Sequence, residues 1–158
     1  MVYAGQRGGL ASQPTGRVNY GENHDNQTLV ELNPLKLPRT TEREDRARVQ
    51  VLGMARTTFS QGIAYFHAGI ENLRSKSGDR NSYDSGDWFN RLDWSLADNF
   101  WGTGLPPKPD NAELWPALQP LLADAGIKPT PAEIRFTRDA FLDLLKIRAS
   151  TALLRLPT

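Results

Sequence analysis

The chain has 158 residues, 39% of them hydrophobic, with 19 basic and 18 acidic side chains and a formal net charge of +1. That length and balance fit one ordinary globular domain, and they exclude a charge field aimed at nucleic acid or an anionic membrane, so the expected partner is neutral. No apolar run reaches the roughly 18 residues of a membrane span, residues 1–16 lack the apolar core of a signal peptide, and the absence of cysteine removes disulfides, thiolate metal ligands and a cysteine nucleophile while leaving the compartment open.

In chain order, the first element is a short strand-like run, Arg17-Val18-Asn19-Tyr20, which stops at Gly21. Glu22-Asn23-His24-Asp25-Asn26-Gln27-Thr28 follows, a cluster of carboxylate, imidazole and amide groups where a buried strand gives way to a loop. By itself Asn-His-Asp is also the composition of an Asx turn. Thr41-Glu42-Arg43-Glu44 reads as a capping box that opens a helix. Ala47, Val51, Ala55 and Phe59 form its apolar stripe, with Arg43, Arg46, Glu42 and Asp45 on the other side and Gly62 as its end.

Ile63 to Ala68 is an almost unbroken apolar run, the pattern of a parallel strand covered on both faces, in which His67 reads as a hydrogen-bonded core histidine. About 60 residues with little helical periodicity come next, far more than the few expected of a connection. They hold all four tryptophans, Trp88, Trp94, Trp101 and Trp115, among Asp, Asn, Gly and Pro. Rings amid amides and carboxylates suit sugars, whose C–H faces stack while their hydroxyls hydrogen-bond; the same rings also suit a satellite core under a long loop. A second helix opens at Thr130-Pro131-Ala132-Glu133 with a capping box and runs to about Ser150, and Ala152 to Leu156 could begin a further strand.

Val18-Asn19-Tyr20 with Glu22 to Thr28 resembles the seventh-strand motif of glycoside hydrolase family thirteen, the α-amylase superfamily, in its pullulanase form. Gln61 to Glu71 is similar to the eighth-strand motif, and Leu73 to Ser77 with Ser82 to Asn90 resembles the loop that follows it in pullulanases and limit dextrinases. The likeness continues through Trp101-Gly102, Gly104-Leu105-Pro106 and Leu145 to Thr158, with departures at Ala64, where proline is usual, and Ile70, where aspartate is usual. The resemblance implies an α/β fold, the carboxy-terminal portion of a (β/α)8 TIM barrel around strands seven and eight with a long loop after strand eight. Residues 1–72 would end the barrel, 73–150 would hold the aromatic loop and last helix, and 151–158 would start a β domain.

What the resemblance implies for function is a retaining glycosidase cleaving α-1,6 branch linkages in pullulan, amylopectin and limit dextrins. That chemistry needs a nucleophile and an acid, two carboxyls about 5 Å apart. The resemblance assigns both to strands that this sequence does not match, so the chain is expected to be an inactive part that needs the missing strands. Asp25 matches the carboxylate that stabilises the transition state, His24 a neighbouring donor to the same sugar, and Asn26, Asp87 and Arg91 are expected substrate contacts. Glu22 and Glu71 are expected to orient neighbours. No cofactor or metal site is expected within the chain, although calcium is often bound in the complete enzyme. A glucan-binding remnant and a structural domain remain the alternatives.

Overall fold

The computed structural model describes residues 13–157. The absence of a signal-peptide core was read mainly in residues 1–12, and the resemblance ends on Thr158; these positions lie outside the described residues. After a three-ten turn at Pro14–Gly16 come β1 (Val18–Asn19), α1 (Leu29–Lys36), α2 (Arg43–Thr58), β2 (Ile63–Ala64), α3 (Asp87–Asn90), α4 (Lys108–Asn111), α5 (Trp115–Leu122) and α6 (Pro131–Ser150).

The two long helices carry the main core. Met54, Ile70, Phe141 and Leu144 are buried together, with Val51, Ala55, Phe66 and Leu145 packed against them. Phe66 meets Phe141 edge-on at 4.8 Å between ring centres, a geometry that suits the ring quadrupoles. Two smaller clusters flank this one: Val30, Leu73 and Ile134 under the polar loops, and Trp101, Leu121 and Ile127 at α5. α6 begins as its sequence predicts, because the Thr130 hydroxyl accepts from the Ala132 amide while the Glu133 carboxylate accepts from the Thr130 amide at 2.7 Å.

The expected TIM-barrel portion is corrected by the structure. The described residues are mostly helical, and their only sheet is a parallel pair of two-residue strands, Val18 against Ile63 and Asn19 against Ala64. Beyond Ala64 the ladder gains one more bond, from the Tyr65 amide to the Asn19 carbonyl, and the chain then turns at Gly69, whose φ is +90°. A side chain there would put its Cβ 2.5 Å from Leu92. The run 63–68 therefore does not extend as a buried strand: Ile63 is 54% exposed and Tyr65 41% exposed.

Several local expectations shift for the same kind of reason. α2 has Glu42 rather than Thr41 at its N-cap and ends before Gly62, at Thr58. Arg46, expected in solvent, is buried, where its guanidinium holds the carbonyls of Thr41 and Pro38 at 3.1 Å each. Phe59, expected on the apolar stripe, is exposed, and Gln50 and Met54 take the buried positions. Residues 152–154, expected to begin a strand, form a three-ten turn. α1 was not predicted at all, although Thr28-Leu29-Val30-Glu31 carries a capping-box pattern and the Thr28 amide donates to Glu31 Oε2 at 2.9 Å.

Candidate active site

The polar cluster after β1 forms a tight loop. Asn23 Oδ1 accepts from the Asp25 amide at 2.8 Å, which is an Asx turn, and Asn26 then sits in the left-handed region at φ 59°. The Asn26 amide donates to the Arg80 carbonyl at 2.7 Å, so Asp25 and Asn81 pair as an isolated antiparallel bridge. The Asp25 and His24 side chains point outward, 59% and 63% exposed, with His24 Nε2 3.5 Å from Asp25 Oδ1. The backbone is thus held while the carboxylate and imidazole stay free to meet a ligand.

What holds it lies underneath, in residues the sequence did not single out. Lys76 is completely buried, and its ammonium donates to the carbonyls of His24 at 2.7 Å and Asn26 at 2.8 Å. Burial lowers its pKa, and the nearby carboxylates of Glu31 and Asp79 oppose that shift. Glu31, buried in α1, accepts at Oε1 from the Ser75 hydroxyl and the amides of Lys76 and Gly78, at 2.6 to 2.7 Å. Asp79, also fully buried, accepts from the Asn81 amide, the Ser85 hydroxyl and Asn111 Nδ2. In the sequence these residues carry little signal of burial: Ser75 to Asp79 contains only polar residues and glycine, is flanked by Arg74 and Arg80, and has the composition of a solvent-facing turn.

Asp25 and Asn26 line an open cleft of about 560 Å³ together with Arg80, Asn81, Pro109, Asp110, Ala112 and Glu113. Its lining is dominated by groups that bind hydroxyls: carboxylates that accept, a guanidinium that donates and amides that do both. Asp87 and Arg91 are not among its lining residues. Asp87 is exposed in the first turn of α3. Arg91 stacks its guanidinium between Trp88 at 4.2 Å and Phe100 at 4.0 Å from the ring centres rather than pairing with Asp87.

A second buried chain of polar groups runs behind the loop. Glu22 Oε2 accepts from the Leu29 amide at 2.6 Å, and its Oε1 lies 3.1 Å from His67 Nδ1. Arg74 Nη1 lies 3.1 Å from His67 Nε2. A guanidinium only donates, so Nε2 accepts and the ring proton sits on Nδ1, directed at Glu22. His67 is therefore a hydrogen-bonded core residue and Glu22 an orienting one. Burial lowers the Arg74 pKa, with Glu22 and Glu31 opposing. Of the tryptophans, Trp101 is core while Trp88 and Trp94 are exposed, so the aromatic loop contains both packed and free rings. Among the described residues no group of three or more His, Asp or Glu side chains is placed to hold a metal ion.

Residues 96–158 match the family described as alpha-1,6-glucosidases, pullulanase-type, C-terminal. Over that segment the chain is similar to the carboxy-terminal part of pullulanase-type α-1,6-glucosidases. The chain is 51% identical over 148 residues to Pullulanase 1, chloroplastic, of Arabidopsis thaliana, covering 94% of this chain and 15% of that protein. It is 40% identical over 157 residues to the pullulanase of Klebsiella pneumoniae, covering 98% and 14%. The crystal structure of Klebsiella pneumoniae pullulanase complexed with maltotriose superposes with a TM-score of 0.88 at 38% identity, over 97% of this chain and 14% of that one. The chain thus spans about a seventh of the length of the pullulanases it matches. Among the described residues no helix is long and apolar enough to cross a membrane.

Proposed function

We propose that this chain acts as part of a pullulanase-type α-1,6-glucosidase, presenting Asp25 to a sugar of a branched α-glucan while the nucleophile and general acid come from outside these residues. One observation carries the reading: the exposed Asp25–His24 pair sits on a backbone clamped from below, at the edge of a polar cleft, in a chain similar to pullulanases. In a retaining mechanism positive charge develops on the sugar ring as the glycosidic bond breaks. A carboxylate gripping a ring hydroxyl binds that state more tightly than the ground state, and a preorganised backbone avoids reorganisation as the charge grows. His24 donates to the same sugar, and Asn26 lies beside them. Asp87 and Arg91 contribute further out, through the Trp88 surface of the loop. Pullulan, amylopectin and limit dextrins are the proposed substrates.

The test is a hybrid in which this chain replaces the matching segment of the Klebsiella pneumoniae pullulanase. The hybrid is expected to release reducing sugar from pullulan, and Asp25→Asn to lower its kcat about a hundredfold with a much smaller change in KM. The 158-residue chain alone is expected to release none above a denatured control. A rise in KM with kcat intact would make Asp25 an ordinary binding residue, and hydrolysis by the chain alone would overturn the division of the site. Exposed Trp88 and Trp94 favour a second reading, a glucan-binding remnant, which requires the chain alone to be retained on immobilised pullulan.

A further inference from the structure

The fully buried Lys76 is the one cation whose ammonium bonds on both sides of Asp25 among the hydrogen bonds of that loop, meeting the carbonyls of the residues immediately before and after it. We propose that Lys76 is a positioning residue for Asp25: it holds the His24 and Asn26 carbonyls together from beneath and so fixes the direction in which the Asp25 carboxylate leaves the loop. The inference rests on the reading of Asp25 as a sugar-binding carboxylate, and it adds a residue that does not itself touch the cleft.

The argument is one of satisfied and unsatisfied groups. The two carbonyls flank Asp25 on a turn with Asn26 at φ 59° and need donors, and among the described residues no backbone amide is hydrogen-bonded to either; Ser82 Oγ approaches the His24 carbonyl only at 3.5 Å. An ammonium supplies three donors from one point, and charge-assisted bonds to carbonyls are stronger than neutral ones. Burying it would be costly without compensation, which the Glu31 and Asp79 carboxylates supply. Glu31 simultaneously fixes the Lys76 backbone through its amide, and Ser77 and Gly78 follow at φ 55° and 81°, so the side chain is aimed by a turn that is itself pinned. A neutral side chain of equal length would take from both carbonyls the donors that the ammonium supplies.

The chain contains no cysteine, so Lys76→Cys can be alkylated in denaturant at a single site with 2-bromoethylamine and refolded, restoring an ammonium at nearly the original length. In the full chain, amide exchange at Asn26 is expected to accelerate at least about tenfold in Lys76→Cys, while core amides of α6 stay within about twofold, and aminoethylation should restore protection. Unchanged exchange at Asn26, equal acceleration in α6, or failure of aminoethylation to restore protection would overturn the proposal. Should Lys76→Cys fail to fold, the unmodified chain decides: a slowly exchanging Nζ signal with contacts to residues 24 and 26 is expected, and its absence overturns the contact. In the hybrid enzyme, Lys76→Met is expected to lower kcat about tenfold with KM within about threefold, and an unchanged kcat counts against positioning. A wild-type hybrid without activity would instead sink the sugar-site reading, since the exchange measurement involves no glucan.

Discussion

Glu31 joins three segments through one carboxylate. Oε2 closes the start of α1 on the Thr28 amide, while Oε1 gathers the Ser75 hydroxyl and the amides of Lys76 and Gly78. Glutamine in its place keeps the volume but has only one acceptor oxygen, so its amide group must face donors on one side. Glu31→Gln is expected to cost about 3 kcal/mol in urea unfolding, at the upper end for bonds to a charged group. Asp25→Asn is expected to leave the same midpoint within about 0.5 kcal/mol, because its side chain is exposed. The contrast separates residues that build the loop from the residue the loop displays, and a large loss of stability for Asp25→Asn would contradict it.

At the scale of elements, α6 is fixed at both ends by polar groups and in the middle by Met54, Phe141 and Leu144. Near its carboxy-terminus Arg148 donates to the carbonyls of Thr58, Ser60 and Gly62, tying the turn after α2 to the helix. At its start Glu133 is partly desolvated, which raises its pKa, but the bonds from the Thr130 hydroxyl and amide outweigh that and hold the carboxyl below its ordinary value. A lowered folded pKa stabilises above the unfolded pKa, and that stability is lost as pH falls through the folded value. Glu133→Gln is therefore expected to cost about 1 kcal/mol at neutral pH, with the gap to wild type closing as the pH drops below the ordinary glutamate range. Thermal melts of both proteins across that range check it; a gap that persists at low pH would assign the loss to packing instead.

For the whole molecule, the two-stranded sheet is where the fold is least covered. Val18 and Ile63 on the paired strands, and Tyr20 and Tyr65 just beyond them, are 41–57% exposed, and among the described residues each strand has a single hydrogen-bonded neighbour. Apolar side chains contribute roughly 1.5–3 kcal/mol each when buried, and open strand edges template pairing with other chains. The isolated chain is expected to self-associate at micromolar concentration and to bind an apolar dye, with Ile63→Lys together with Val18→Lys reducing both. A monomer by sedimentation with low dye binding would show that this face is compatible with water as it stands.

Composition, spacing and resemblance were enough to place the Asp25 loop, the start of α6 at Thr130, and the core role of His67, because each depends on neighbours close in sequence or on a motif of local chemistry. The polar loop around Asp25 was legible for that reason. The extent of the strands was not: an apolar run such as 63–68 states what could be buried, and only the packing of the Gly69 turn against Leu92 and Arg74 decided that the ladder stops at Tyr65. Likewise Lys76 and Glu31 lie about 45 to 52 residues from their partners, as the bonds from Glu31 to the Lys76 amide and from Lys76 to the His24 carbonyl record. Periodicity cannot register a bond of that span, since it repeats over a few residues, whereas burial forces a charged group to find whichever acceptors the tertiary structure brings to it.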